Sequence, residues 1–186
     1  MRTFLEFFAG GGMARAGLGA GWRCLFANDI EAAKGAAYRA NWGDADFRLA
    51  DVADVRTADI PGARPADLAW ASFPCQDLSL AGGRNGLAGG RSGAFWPFWR
   101  LIEALGAEGR APRTIVLENV AGLLTSNGGA DFAALGGALA PRVLVHSGHD
   151  GRTSRLPANV LSIAKPATTK ELLRGIAQLE AGMPQP

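Results

Sequence analysis

Apolar residues in the first two-thirds of the chain come in short runs, and each run stops at a glycine, an acid or a proline. Thr3 to Phe8 is the first, closed by Ala9-Gly10-Gly11-Gly12, and a helical stretch follows through Gly19. Trp22 to Ala27 is the second, closed by Asn28-Asp29, and the alanine-rich segment from Ile30 to Ala40 favours a helix. Phe47 to Ala50 is a third run ending at Asp51, and Asp67 to Ser72 is a fourth ending at Pro74. A helix is predicted from Ala94 to Leu105, with Pro97 in its first turn, where a missing N–H is tolerated. Thr114 to Leu117 predicts a fifth strand running into Glu118, Ala130 to Leu139 a helix, and Arg142 to His146 a sixth strand.

From Ser147 the pattern changes. The chain reads as polar and irregular up to Pro166, and then offers one well-signalled helix. Thr168 and Glu171 form a capping box, Leu172, Leu173, Ile176 and Leu179 share a face, and Gly182 with Pro184 stops it. The organisation expected is a domain over residues 1–146 and an atypical tail over residues 147–186.

Strands alternating with helices predict an α/β fold with a mostly parallel sheet and helices on both faces. Such sheets bind ligands beyond the carboxyl ends of their strands. The glycine turn, Asp29, Asp51, Pro74-Cys75 and Glu118 each follow a predicted strand directly, so all five are expected along one edge. Residues 79–93 contain six glycines and no apolar periodicity, which predicts a long loop of the kind that usually carries function.

Composition refines this picture by exclusion. The 48% hydrophobic and 19% charged content fits a globular core rather than a disordered chain. A net charge of +2 does not by itself argue for nucleic-acid binding, so any such contact must come from local clustering. Two cysteines, Cys24 and Cys75, are too few for a disulfide framework or a zinc site. No apolar run approaches the ~18 residues that span a bilayer, and Glu6 interrupts any signal-peptide core at once, so no membrane and a reducing cytoplasm are expected.

Each strand end admits two readings. Phe8-Ala9-Gly10-Gly11-Gly12 can cradle a nucleotide-like cofactor, or be a tight turn with no ligand. Asp29 can bind ribose hydroxyls and Asp51 an adenine amino group, or each can be a solvated loop acid. Cys75, presented by Pro74 in Phe73-Pro74-Cys75-Gln76, can be a nucleophile or a buried structural thiol. Glu118 of Glu118-Asn119-Val120 can be a protonated acid in a desolvated place, or an ordinary strand-end carboxylate.

The order of these fragments resembles the cytosine-5 DNA methyltransferase family. That family carries F-x-G-x-G near its start, Pro-Cys-Gln in mid-domain and Glu-Asn-Val after a later strand, and all three stand here in sequence over about residues 3–140. The resemblance implies a Rossmann-like domain that uses S-adenosylmethionine. Phe8, Gly10, Gly12 and Pro74 would line the cofactor, with Asp29 on the ribose, Ile30 against adenine and Asp51 at the adenine amino group. Cys75 would attack carbon 6 of cytosine while Glu118 holds a proton at ring nitrogen 3. A stacked duplex hides that carbon, so the base must be flipped out of double-stranded DNA. Residues 79–93 correspond to the family's catalytic loop, and Gln76, Ser79, Arg84 and Arg91 are the candidate DNA contacts.

Three family elements have no counterpart here: the Gln-Ser-Arg-Pro-Arg-like segment, the variable target-recognition region and the late Gly-Asn helix. Pro141 to Val145 echoes only the end of the first. The expectation is therefore a truncated member, or one subunit of a split enzyme whose second polypeptide supplies recognition. A remnant that binds cofactor or DNA without catalysis, and a tRNA methyltransferase of the same superfamily, are the competing readings.

Overall fold

The computed structural model describes residues 1–73, 94–118, 142–147, 160–164 and 167–182. The chain falls into two compact units, one of residues 1–72 with 97–113, the other of residues 73–96 with 114–186.

The first unit is built on four parallel strands in the order β3-β2-β1-β4: β1 (Arg2–Phe7), β2 (Trp22–Asp29), β3 (Phe47–Leu49) and β4 (Leu68–Ala71). Between β1 and β2 runs the short α1 (Met13–Leu18), and between β2 and β3 runs α2 (Ala32–Trp42). The last four residues of β1 are all buried and β4 is buried throughout, as expected for parallel strands covered on both faces. Phe7 meets Phe26 and Phe98 with ring centroids 5.8 and 5.0 Å apart. Phe98 lies on α3 (Phe95–Ala107), which also buries Trp99, Ile102 and Leu105. Their 98, 99, 102, 105 spacing makes one helical face, and each such fully buried side chain stabilises by about 1.5–3 kcal/mol.

The second unit contains β5 (Thr114–Glu118), β6 (Arg142–Ser147) and β7 (Val160–Ala164), parallel and in that order, with α4 (Thr169–Gly182) against them. The capping box forms as its sequence signature implies. Glu171 Oε2 accepts from Thr168 N and Oγ1 at 2.7 Å each, and Thr168 Oγ1 accepts from Glu171 N at 3.3 Å. Gly175 lets the helix come close to the sheet. A Cβ there would lie 2.5 Å from Ile163 Cδ1 and 3.0 Å from Leu144 Cδ1.

Three expectations need correction. The stretch from Ser147 to Pro166 is not irregular throughout, because Ser147 ends β6 and residues 160–164 form β7. The second strand continues through Asn28 to Asp29, where it pairs with Leu49. The helix after it starts at Ala32 rather than Ile30, since Asp29 Oδ1 accepts from Glu31 N at 2.9 Å and holds Glu31 extended (φ −88°, ψ 118°). The helix expected at Ala130 to Leu139 lies outside the described residues.

Candidate cofactor and catalytic site

The chain leaves β1 through a sharply turned backbone. Phe8 has φ +57°, Gly10 φ +56° and Gly12 φ +84°. Glycine adopts this left-handed region freely, whereas a side-chain-bearing residue there is strained by roughly 1–2 kcal/mol. Phe8 is the one such non-glycine residue among those described, and strain of this kind concentrates at ligand clamps. The turn is anchored on the neighbouring strand: Ala9 N donates to Asn28 O at 2.9 Å, and Gly10 N donates to Asp29 Oδ2 at 2.9 Å.

Asp29 is therefore an organiser of the site as well as a candidate ligand. It is buried, and its two oxygens take one backbone N–H each, from Gly10 and Glu31. A carboxylate oxygen has a second lone pair, so acceptor capacity remains for a hydroxyl. Ile30, next along the chain, is 64% exposed at the same edge, an apolar surface suited to a flat ring. Asp51 lies two residues beyond β3, half-buried, and its Oδ1 caps the following 3-10 turn by accepting from Ala53 N at 2.9 Å. Ala50 N donates to Asp29 O at 3.0 Å and Asn28 Nδ2 donates to Ala50 O at 3.1 Å, tying the ends of β2 and β3 together.

The two family glycines have different surroundings. A Cβ on Gly10 would meet nothing within 4 Å, leaving space beside the backbone. A Cβ on Gly12 would collide with the indole of Trp42, whose Nε1 donates to Gly11 O at 3.1 Å. Gly12 thus accommodates a side chain of the protein itself.

Sequence reasoning missed Glu6. It sits in β1 directly below the turn, 1% exposed, with Oε1 accepting from Ala14 N at 3.1 Å. Its Oε2 is buried with no hydrogen-bond partner among the described residues. Burial pushes the carboxyl up to about 7, against the opposing pull of the backbone N–H groups of Arg15 and Ala14 and the Arg15 charge. An acid inside an apolar run was the available signal.

Glu118 closes β5 in the second unit and is half-buried. Pro74, Cys75, Gln76, Ser79, Arg84 and Arg91 lie outside the described residues. The other cysteine, Cys24, is buried in β2 with its thiol pushed up to about 11 by burial, which suits a structural role. A separate cavity of about 870 Å³ lies at the amino ends of β1, β2 and β4, lined by Thr3, Arg23, Arg64 and Asp67 among others, away from the turn. Among the described residues no acid, histidine and cysteine cluster could hold a metal, and no helix is long and apolar enough to cross a membrane.

A strained glycine turn after β1, locked onto an acid at the end of β2, stands at the carboxyl edge of a parallel sheet, in keeping with a Rossmann-like methyltransferase fold. Solved structures share that fold: a Dnmt2 methyltransferase of S. pombe superposes with a TM-score of 0.56 at 23% identity, covering 73% of this chain and 41% of that one. The C-5 cytosine-specific DNA methylase family model matches residues 2–139, and the chain belongs to that family. Type II methyltransferase M.HpaII of Haemophilus parainfluenzae is 32% identical over 122 residues, 65% of this chain and 32% of that protein. M.BsuFI of Bacillus subtilis is 31% identical over 134 residues, 72% and 30% respectively. The chain spans about a third of the length of these curated relatives. The family's cofactor is S-adenosylmethionine, and the open flank of Gly10, the spare acceptor capacity of Asp29 and the exposed Ile30 fit a ribose and an adenine ring.

Proposed function

We propose that this chain is the cofactor-binding and catalytic part of a DNA cytosine-5 methyltransferase. The observation that carries the reading is the Phe8–Gly12 turn held on Asp29, within a region that matches the family model from residue 2 to 139. The turn and Asp29 hold the cofactor, with Ile30 against its adenine and Asp51 at the adenine amino group, and Pro74 is assigned to cofactor binding as well. When bound, S-adenosylmethionine supplies an electrophilic methyl on its sulfonium. Cys75 adds as thiolate to carbon 6 of a flipped-out cytosine while Glu118 holds a proton at nitrogen 3, which gives carbon 5 enamine character. After carbon 5 takes the methyl, loss of its proton re-forms the ring double bond and expels the Cys75 thiolate. Gln76, Ser79, Arg84 and Arg91 hold the DNA.

Unpairing and unstacking a base cost a few kcal/mol, and phosphate contacts carry no sequence information. Sequence-specific methylation is therefore assigned to this chain together with a second polypeptide or segment that reads the bases.

Incubation with 5-fluorocytosine duplex DNA and S-adenosylmethionine tests the chemistry, because fluorine blocks the last proton loss. A covalent adduct is expected that Cys75→Ser abolishes; an adduct mapped to Cys24 sinks the assignment. Labelled methyl transfer to tRNA instead of duplex DNA would move the substrate to the tRNA class. Cofactor binding without any adduct would leave a non-catalytic remnant.

A further inference from the structure

The cavity at the amino edge of the first unit is not used by the proposed chemistry. β1 is six residues long, and at about 3.3 Å per residue the two edges of the sheet stand roughly 20 Å apart. Its volume of about 870 Å³ falls within the range of about 300–1,000 Å³ usual for small-molecule sites. Every residue that lines it belongs to the first unit.

Neighbouring strand starts bring charge to this place. Arg23 of β2 is the register partner of Thr3 of β1. Asp67, just before β4, accepts from Thr3 N at 2.8 Å and from Thr3 Oγ1 at 3.1 Å, both on Oδ2. Arg113 is fixed by its backbone N–H, which donates to Ala66 O at 3.0 Å, while its Nε stands 4.0 Å from Asp67 Oδ1, a loose pair on a side chain that is 69% exposed. Asp46, just before β3, is paired with Arg15 at 3.4 Å. Both acids of the cavity are thus engaged, whereas Arg23 and Arg64 have no carboxylate within 4.0 Å among the described residues. Elsewhere in the unit the protein uses its arginines on itself: Arg39 pairs with Asp44, Arg48 with Asp59 and Arg110 with Glu108.

Three guanidinium groups and two carboxylates leave the lining with a surplus of one positive charge. A guanidinium matches phosphate oxygens through paired N–H donors. Arg64 stands in Pro61-Gly62-Ala63-Arg64-Pro65, where both prolines fix φ and Gly62 takes φ +98°. A loop so restrained gives up less freedom when Arg64 engages a ligand. Pro61, Pro65 and Leu25 add apolar wall beside the charges, which suits a phosphate joined to a flat ring better than a bare anion. Asp67 Oδ1 takes no hydrogen bond among the described residues and can accept from a ligand hydroxyl. We infer that this cavity binds a small phosphorylated ligand of mononucleotide size, its phosphate on Arg23, Arg64 and Arg113 and its ring against Leu25 and the prolines. The site is separate from the cofactor turn and goes beyond the function proposed above.

Calorimetry on the full chain with 5′-GMP, and with inorganic phosphate as the bare anion, tests the inference, while two-dimensional amide spectra record where GMP lands. GMP is expected to bind more tightly than phosphate and to shift the amides of Thr3, Arg23 and Ala63, leaving Gly10 unshifted. Arg23→Ala and Arg64→Ala should each weaken GMP about tenfold, and both should fold, because these exposed side chains have no ion pair to lose among the described residues. Arg174→Ala, on the exposed side of α4, removes the same charge elsewhere and should leave GMP affinity unchanged. No binding of GMP, an equal loss in Arg174→Ala, affinity for GMP no higher than for phosphate, or shifts at Gly10 and Asp29 instead, overturns the inference. Displacement of GMP by a short DNA duplex at physiological salt would give the arginines to a DNA backbone and overturns it as well. S-adenosylhomocysteine binding, measured alongside, reports on the cofactor reading separately.

Discussion

Glycine serves opposite ends at the carboxyl edge of the first unit and under the helix of the second. At the edge, Gly10 and Gly12 take left-handed φ values, and the backbone polar groups around them are bound to Asp29, Asn28 and Glu6. Under α4, Gly175 takes an ordinary helical conformation, and its missing side chain lets Ile163, Leu161 and Leu144 fill the gap. The first region gives up backbone comfort to aim N–H groups and leave open space. The second gives up helix propensity, about 1 kcal/mol for glycine against alanine, to gain close apolar contact. One residue type therefore marks the proposed binding edge in one place and a packing seam in the other, and only the partners tell them apart.

Removing Asp29 should break the first region most severely. Asp29→Ala leaves the amides of Gly10 and Glu31 without their acceptor, at about 1–3 kcal/mol each where buried. Because Gly10 is only half-buried and Glu31 is exposed, denaturant unfolding should show a loss of about 2 kcal/mol, and S-adenosylhomocysteine binding should vanish in calorimetry. Asp29→Asn, which keeps one acceptor oxygen, should fold and bind weakly. Full affinity in a folded Asp29→Asn or Asp29→Ala protein would remove this acid from the site.

Gly12→Ala and Gly10→Ala sharpen the contrast within the turn itself. Gly12→Ala combines left-handed strain of about 1–2 kcal/mol with a collision against Trp42, an overpacking term of about 1–3 kcal/mol. Gly10→Ala adds only the strain, because its Cβ meets open space. Thermal unfolding should therefore rank Gly12→Ala as the less stable, whereas cofactor affinity should suffer more in Gly10→Ala. Equal affinity losses would mean that the space beside Gly10 is not where the ligand lies.

The smallest effect is expected at Gly175. Alanine there overpacks against Ile163 Cδ1 and Leu144 Cδ1 but regains about 1 kcal/mol of helix propensity. A net destabilisation of about 1 kcal/mol, with unchanged cofactor binding, is the expected outcome in paired denaturation and calorimetry. A stabilised Gly175→Ala would show that the seam has slack.

Most strands and helices were legible because parallel strands buried on both faces write continuous apolar runs, and because Thr168 and Glu171 announce their helix locally. What failed depended on distance. β7 is five residues long and acquires its identity from pairing with β6, more than a dozen residues earlier. The start of α2 moved because the Asp29 carboxylate, a tertiary organiser, captures Glu31 N. Trp42 lies thirty residues from the glycine it packs on. Glu6 was visible as an acid in an apolar run, but its burial and its bond to Ala14 follow only from how α1 folds back on β1. The place of Asp29 at a strand end was legible from the apolar run before it, and its task of shaping the turn was not.

The indole of Trp42, bonded to the Gly11 carbonyl and lying under the Arg15 guanidinium 5.1 Å from its ring, has an optical consequence. It is 36% exposed, so its emission responds both to water and to the adjacent cation. The turn therefore carries its own fluorophore beside the proposed cofactor site. Trp22, Trp70, Trp96 and Trp99 supply a background that a Trp42→Phe difference spectrum subtracts. Titrating S-adenosylhomocysteine into the protein should change that difference signal as the turn tightens, giving a label-free readout of the site from a residue that need not touch the ligand.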